Sequence, residues 1–262
     1  MQGIVDLDLY PLDQPGTAAW NSLVEHAQAE LETAGMFNLR GFLTQAAVAQ
    51  AVAEVRPKFE TEAFRHARRH NIYFRRDVPD LAPDHAALRE FDTVNHSICA
   101  DQLSGMIVRR LYEWPEFAGF LAAVMRQPRL YTMEDPLAGV NAMAHRDGEA
   151  LNWHFDRSEF TTTLLLQAPV AGGEFEYRSN LRSENDPNYD GVARLLQGAD
   201  PMARVLRLDP GTLNVFRGKN TAHRVTPVSG PKPRIIAVFS YYDRPGVAFS
   251  EEERCGFYGR AG

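Results

Sequence analysis

His154 and Asp156 stand two residues apart in Trp153-His154-Phe155-Asp156. On an extended backbone that spacing sends both side chains out of one face, where a single ion can be gripped by both. His223, far downstream, completes a set of two histidines and one carboxylate. Such a facial set suits Fe(II) and leaves adjacent coordination positions open for other molecules.

The segments around His223 must position it. Asp209-Pro210-Gly211-Thr212-Leu213-Asn214-Val215-Phe216-Arg217-Gly218 reads as a turn, a short apolar strand and another turn. His223 to Val228 follows, then the turn Ser229-Gly230-Pro231-Lys232-Pro233 and the β-rich run Arg234 to Tyr241. A hairpin of these runs brings Arg234 beside the metal.

Together these residues resemble the Fe(II)/2-oxoglutarate-dependent oxygenases. That family shows His-X-Asp, a run of strands, then Pro-Gly, Phe, His-X-Val, a Gly turn and a basic residue. Here the matching positions are His154, Asp156, Pro210, Gly211, Phe216, His223, Val225, Gly230 and Arg234. The resemblance implies Fe(II) on His154, Asp156 and His223, with 2-oxoglutarate and O2 as cosubstrates and Arg234 on the distal carboxylate of 2-oxoglutarate. It also implies a mainly β, α+β fold: a double-stranded β-helix of the jelly-roll or cupin type packed against N-terminal helices.

A smaller group within that family, the radical halogenases and hydroxylases of free amino acids, is similar in three respects. These are the chain length, the short interval between the ligating histidines (223 − 154 = 69) and the text Thr-Leu-Leu-Leu-Gln followed by Gly-Gly-Glu-Phe-Glu-Tyr. The halogenases of that group carry Gly where this chain has Asp156, which opens a coordination site for chloride. The carboxylate here implies hydroxylation rather than chlorination, with a free amino acid or a derivative as substrate. The same chemistry on a larger secondary metabolite, ending in hydroxylation, desaturation or cyclisation, is the alternative enzymatic reading. A cupin-like binding protein without turnover is the alternative from another class, and the intact triad with Arg234 argues against it. A zinc hydrolase leaves Arg234 without a purpose.

Size and composition bound these readings. A chain of 262 residues can form one large domain, taken here as residues 1–262, with a helical region over 1–130 and the catalytic β core over 131–262. A formal net charge of −6 argues against nucleic acid as a partner. Only Cys99 and Cys255 are present, too few for a disulfide framework, which suggests a reducing cytoplasm. No apolar run approaches membrane-spanning length. Oligomeric state is not readable.

Helical spacing of Trp20, Leu23, Val24, Ala27 and Leu31 predicts a helix between Gly16 and Gly35. A second helix, capped by Thr44, carries Val48, Ala51, Val52 and Val55 and is expected to end at Pro57. Helices over Asp101–Tyr112 and Pro115–Arg126 follow. Between the second helix and these lies a basic cluster, Arg65, His66, Arg68, Arg69, His70, Arg75 and Arg76, taken as a solvated face in preference to an anion site. Phe160–Gln167, Glu174–Tyr177 and Val205–Leu208 read as strands, and the polar segment between Arg178 and Asp200 reads as a binding loop or lid.

Substrate contacts have no spacing signature. Arg157, beside a ligand, Asn152, which shares parity with His154, and Ser240, which shares parity with Arg234 as does Tyr242, are the candidates, with His70, Asn71, Asn95 and His96 behind them. Arg224 is expected to point away from the iron. His145-Arg146-Asp147 is a competing His-X-Asp that no strand directly follows.

Overall fold

The computed structural model describes residues 1–75, 78 and 81–262, so Arg76 of the basic cluster lies outside the described residues. One antiparallel sheet is built, in spatial order, from β1 (Met36–Leu39), β11 (Leu213–Phe216), β7 (Thr161–Gln167), β14 (Arg234–Phe239), β5 (Val140–His145), β3 (Phe91–Ile98) and β2 (Phe64–His70). A second joins β10 (Arg204–Leu206), β9 (Phe175–Arg178), β12 (Ala222–Val225) and β6 (Leu151–His154). Two short ribbons pair β8 (Ala171–Gly172) with β13 (Val228–Ser229) and β4 (Tyr131–Thr132) with β15 (Tyr241–Tyr242). The two main sheets face each other across a cavity, the jelly-roll arrangement expected, with helices on the outside of the larger one.

Strand alternation divides the larger sheet between two environments. On β14, Ile235, Ala237 and Phe239 enter the hydrophobic core, whereas Arg234, Ile236 and Val238, with Ser240 just past the strand, line the cavity. On β5, Val140, Ala142 and Ala144 go to the core, and Asn141, Met143 and His145 go to the cavity. On β11 the division is Leu213 and Val215 against Asn214 and Phe216. The core side packs against α1 (Ala18–Thr33), α2 (Gln45–Thr61), α3 (Ile107–Tyr112) and α4 (Pro115–Val124), through side chains such as Phe37, Phe42, Phe117 and Phe120 that are almost fully buried.

Several sequence expectations need correction. The N-terminal region is not only helical: β1, β2 and β3 extend the larger sheet. Strand β2 reads Phe-Arg-His-Ala-Arg-Arg-His, polar on both faces, so it has none of the apolar alternation that marks a strand. Pro57 does not end α2, which continues to Thr61. Pro57 and Ala53 are exposed, so the carbonyl that loses its bond faces water, while buried Val55 and Phe59 anchor the last turns. Gly105, at φ +75°, separates a 3-10 turn over Ala100–Leu103 from α3, where one helix was expected. The polar segment folds in part into α5 (Tyr189–Leu196), started by the Asn188 side chain, which accepts a bond from the Gly191 amide. At the C-terminal end, α6 (Glu251–Tyr258) begins in a capping box of Ser250 and Glu253 and lies over the cavity mouth with Phe257 and Tyr258.

Candidate active site

Antiparallel pairing of β6 with β12 sets His154 directly opposite His223, with ring centroids 4.1 Å apart. Each ring is oriented from behind. His154 Nδ1 donates to the Asn152 carbonyl at 2.8 Å, and His223 Nδ1 donates to the Thr221 carbonyl at 2.9 Å. Because a carbonyl only accepts, both Nε2 atoms carry lone pairs toward the cavity. The Asp156 carboxylate stands between them, Oδ1 at 3.4 Å from His154 Nε2 and Oδ2 at 3.4 Å from His223 Nε2. Among the described residues these three form the one cluster of histidine, cysteine and carboxylate side chains able to share an ion, with ligand atoms within 4.8 Å of one another.

Asp156 follows the end of β6 and is held by the main chain and by a hydroxyl. Its amide donates to the Gly218 carbonyl at 3.1 Å, and Thr161 Oγ1 donates to Oδ2 at 2.5 Å. Gly218 must be glycine, since a Cβ there would overlap both Thr161 Oγ1 and Asp156 Oδ2. Burial opposes the carboxylate charge, but His223, His154 and the Thr161 hydroxyl hold Asp156 well below the usual carboxylate range. Burial, reinforced by His154, pushes the His223 ring down to about 4 against the opposing pull of Asp156. At neutral pH His223 and Asp156 are therefore in the protonation states that bind a metal.

Arg234 and His145 are directly opposite each other on β14 and β5 and share the cavity wall. The Arg234 side chain is buried, and its Nη1 has no partner. Burial lowers its pKa to about 10, so it stays charged. An uncompensated buried guanidinium costs several kcal/mol, and an entering carboxylate removes that cost bidentately. Gly173 clears the way for the Arg234 stem, because a Cβ there would come within 3.1 Å of Cδ. His145 is 1% exposed with neither ring nitrogen bonded. Burial, followed by Arg234 and His96, pushes it down to about 3, so the ring is neutral. The residues present thus fit both a divalent metal and an anionic chelator beside it.

The cavity holds about 780 Å³ and contains His154, Asp156, His223, Arg234 and Ser240. Arg157 lies at its mouth but is not free: it pairs with Glu253 of α6 at 2.7 Å and covers the Phe257 ring. Asn152 does not line the cavity. The pairing of β6 with β12 shifts register between His223↔His154 and Val225↔Leu151, so a bulge breaks the alternation and Leu151 faces inward instead. The Asn152 amide group is bonded to the Asp92 carbonyl. Tyr242 sits on the β4–β15 ribbon and is not a lining residue. Arg224 points away as expected, bound to Glu176 at 2.6 Å over the Trp153 ring. Asp147 bonds the Gly230 amide, and among the described residues the second His-X-Asp gathers no third ligand.

The basic cluster is split by strand alternation. His66, Arg68 and His70 on β2, with Arg75 beyond it, line the cavity, whereas Arg69 pairs outward with Glu90. His70 and Asn95 line the cavity, but His96 turns to Glu149 and Asn71 caps the turn at Tyr73 and Arg75. Sequence reasoning placed Arg182 only within the polar binding segment and missed His145 as a cavity residue, Thr161 and Gly218. A Gly just beyond a strand and before a ligand was the available signal for the last.

A sequence profile of the family described as halogenase D matches residues 19–249. The chain belongs to that family. No curated protein matches it significantly. Among solved structures, the epimerase SnoN from nogalamycin biosynthesis, in complex with Fe3+, alpha ketoglutarate and nogalamycin RO, is 18% identical, with TM-score 0.59 over 85% of this chain and 84% of that one. HygX from Streptomyces hygroscopicus, with nickel and 2-oxoglutarate bound, is 15% identical, with TM-score 0.55 over 85% and 88%. A Pseudomonas putida prolyl-4-hydroxylase is 16% identical, with TM-score 0.52 over 83% and 98%. At these identities the likeness is one of fold.

Two outcomes follow from the site. Gly218→Ala displaces the Asp156 carboxylate and weakens Mn(II) binding at least about 10-fold while circular dichroism stays native; unchanged affinity in a calorimetric titration contradicts the packing argument. In the unfolded chain His145 and His223 take up protons below about pH 6.5, but the folded protein resists until about 3 and 4. Acidification from pH 6.5 to 4 therefore favours unfolding, and the metal-free protein loses Tm over that window. His145→Gln makes the slope shallower; an identical slope excludes His145 as a contributor.

Proposed function

We propose that the protein is an Fe(II)/2-oxoglutarate-dependent dioxygenase that hydroxylates an unactivated C–H bond of a small molecule, a free amino acid or a derivative of one, with release of succinate and CO2. The observation that carries this reading is the joint presence, in one cavity, of the His154-Asp156-His223 cluster and a buried guanidinium with an unpartnered Nη1. Bound there, Fe(II) with 2-oxoglutarate and O2 supplies an oxidant able to take hydrogen from an aliphatic C–H bond.

The protein's own residues do the rest. Thr221 and Asn152 carbonyls fix the imidazole tautomers, so both histidines present Nε2 without rearrangement. Arg234, buried with a free Nη1, would hold the distal carboxylate of 2-oxoglutarate. Asp156 occupies the position that a halogenase of this kind leaves open, which favours hydroxylation over chlorination. Phe216 and Phe175 pack against His223 at 4.7 and 5.6 Å between ring centroids and keep water from its inner side. A larger substrate is the second reading. It is favoured by a cavity of about 780 Å³, toward the upper part of the usual small-molecule range.

Aerobic reactions with Fe(II), 2-oxoglutarate, ascorbate and chloride, run over a panel of free amino acids, test this by mass spectrometry with succinate measured alongside. Substrate-dependent succinate with one oxygen atom added to the product is expected, and His223→Ala lowers turnover at least about 100-fold. A mainly chlorinated product rules out the hydroxylase, and full turnover by His223→Ala rules out the triad.

A further inference from the structure

The cavity is charged in one sense. Its lining includes the cationic side chains Arg68, Arg75, Arg157, Arg182, Lys219 and Arg234, and the only carboxylate among the described lining residues is Asp156. Three of the cations are accounted for. Arg157 is offset by Glu253 at 2.7 Å and Lys219 by Glu184 at 3.3 Å, and Arg234 awaits the cosubstrate. Asp156 is used by the metal cluster.

Of the remaining three, Arg75 adjoins residues outside the described ones, whereas Arg68 and Arg182 have no carboxylate partner among the described residues; Arg182 is held by the main chain, and Arg68 is exposed and rests on an aromatic ring. Arg182 donates Nε to the Lys219 carbonyl at 2.7 Å, and its guanidinium lies 3.9 Å over the Phe155 ring. Phe155 stands between the ligands His154 and Asp156 in the chain, and Arg182 lines the same cavity as they do. Arg68 leaves the cavity face of β2 and lies 4.6 Å over Phe74, whose ring in turn meets His154 edge-on at 6.2 Å. Two guanidiniums thus reach the cavity from different walls, one on β2 and one on the segment after β9. Stacking on an aromatic ring leaves the hydrogen-bonding edge of a guanidinium available for a carboxylate or phosphate.

We infer that the substrate carries two separate anionic groups, one met by Arg182 and the other by Arg68. This deepens the reading of the site as an oxygenase acting on an amino acid and rests on it: the substrate class becomes an amino acid with an acidic or phosphorylated side chain. A basic side chain is disfavoured, because the described lining offers no carboxylate beyond Asp156 and the guanidiniums of Arg68 and Arg182 repel a cation. The shared chemistry is the second anionic group; its source as carboxylate or phosphate is left to the experiment.

Binding is measured without turnover, by calorimetry on the protein loaded with Mn(II) and 2-oxoglutarate, using L-glutamate, L-aspartate, O-phospho-L-serine and L-lysine. At least one acid binds 10-fold or more tightly than lysine, and its affinity falls as salt is raised. Tighter binding by phosphoserine assigns the second group as phosphate, and tighter binding by glutamate or aspartate assigns it as carboxylate. Arg182→Gln and Arg68→Gln each weaken the preferred acid at least 10-fold, with Arg182→Lys recovering part of the loss and all three melting near the parent Tm. Lysine binding as tightly as the acids, no acid binding, or unaltered affinity in both Gln variants overturns the inference. Succinate formation separates its failure from that of the oxygenase: lysine binding with succinate formed sinks only the charge assignment, and no succinate with any substrate sinks the oxygenase while the binding result stands.

Discussion

Alternation along the strands of the larger sheet is the constraint on which the rest depends. Each strand carries an apolar set committed to the helices and a polar set committed to the cavity, and these sets interleave residue by residue. A slip of one residue would put Arg234, His145 and Asn141 into the core and Ile235, Ala144 and Ala142 into the chamber, so the register is fixed by the cost of burying charge without a partner. The pairing Arg234↔His145 is one consequence, and the placement of Thr161 and Thr163 on the cavity wall is another. The smaller sheet adds only what the chemistry needs, the facing histidines of β6 and β12.

The cavity keeps its polar groups incompletely satisfied. Arg234 Nη1, both nitrogens of His145 and Asn214 Oδ1 are buried without partners. Groups of this sort cost about 1–3 kcal/mol each, and more when charged. The apolar layer behind the sheet, with Phe37, Phe42, Phe117 and Phe120 almost fully enclosed, offsets that cost and holds the polar face rigid. The trade of stability for a preorganised ligand site is the usual one in enzymes.

Much of the site was legible in the sequence because its signals are local and chemical: His154 and Asp156 two apart, His223 after a Pro-Gly turn and a strand, Arg234 after a Gly turn. The jelly-roll strands were legible where one face is apolar, as in Leu164 to Leu166. Strand β2 was not, since it lies at a sheet edge with a cavity on one side and water on the other, and neither face asks for apolar residues. For the same reason the basic cluster looked like a solvated surface, although alternate members of it enter the chamber. Asn152 was misassigned because a bulge in β6, invisible in the residue pattern, reverses the parity from which its direction was read. Arg182 was not singled out from its polar segment because its place depends on the Lys219 carbonyl and the Phe155 ring, contacts that only the folded chain brings together.

The central claim is that His154, Asp156, His223 and Arg234 together hold a divalent metal and a 2-oxo dicarboxylate. A crystal structure of the protein grown with Mn(II) and 2-oxoglutarate under anaerobic conditions tests it most directly, with the metal located by anomalous scattering. The account predicts the ion bound by both Nε2 atoms and an Asp156 oxygen, and the distal carboxylate of 2-oxoglutarate on Arg234 Nη1. An ion held elsewhere, or 2-oxoglutarate bound with Arg234 Nη1 still unpartnered, would contradict it.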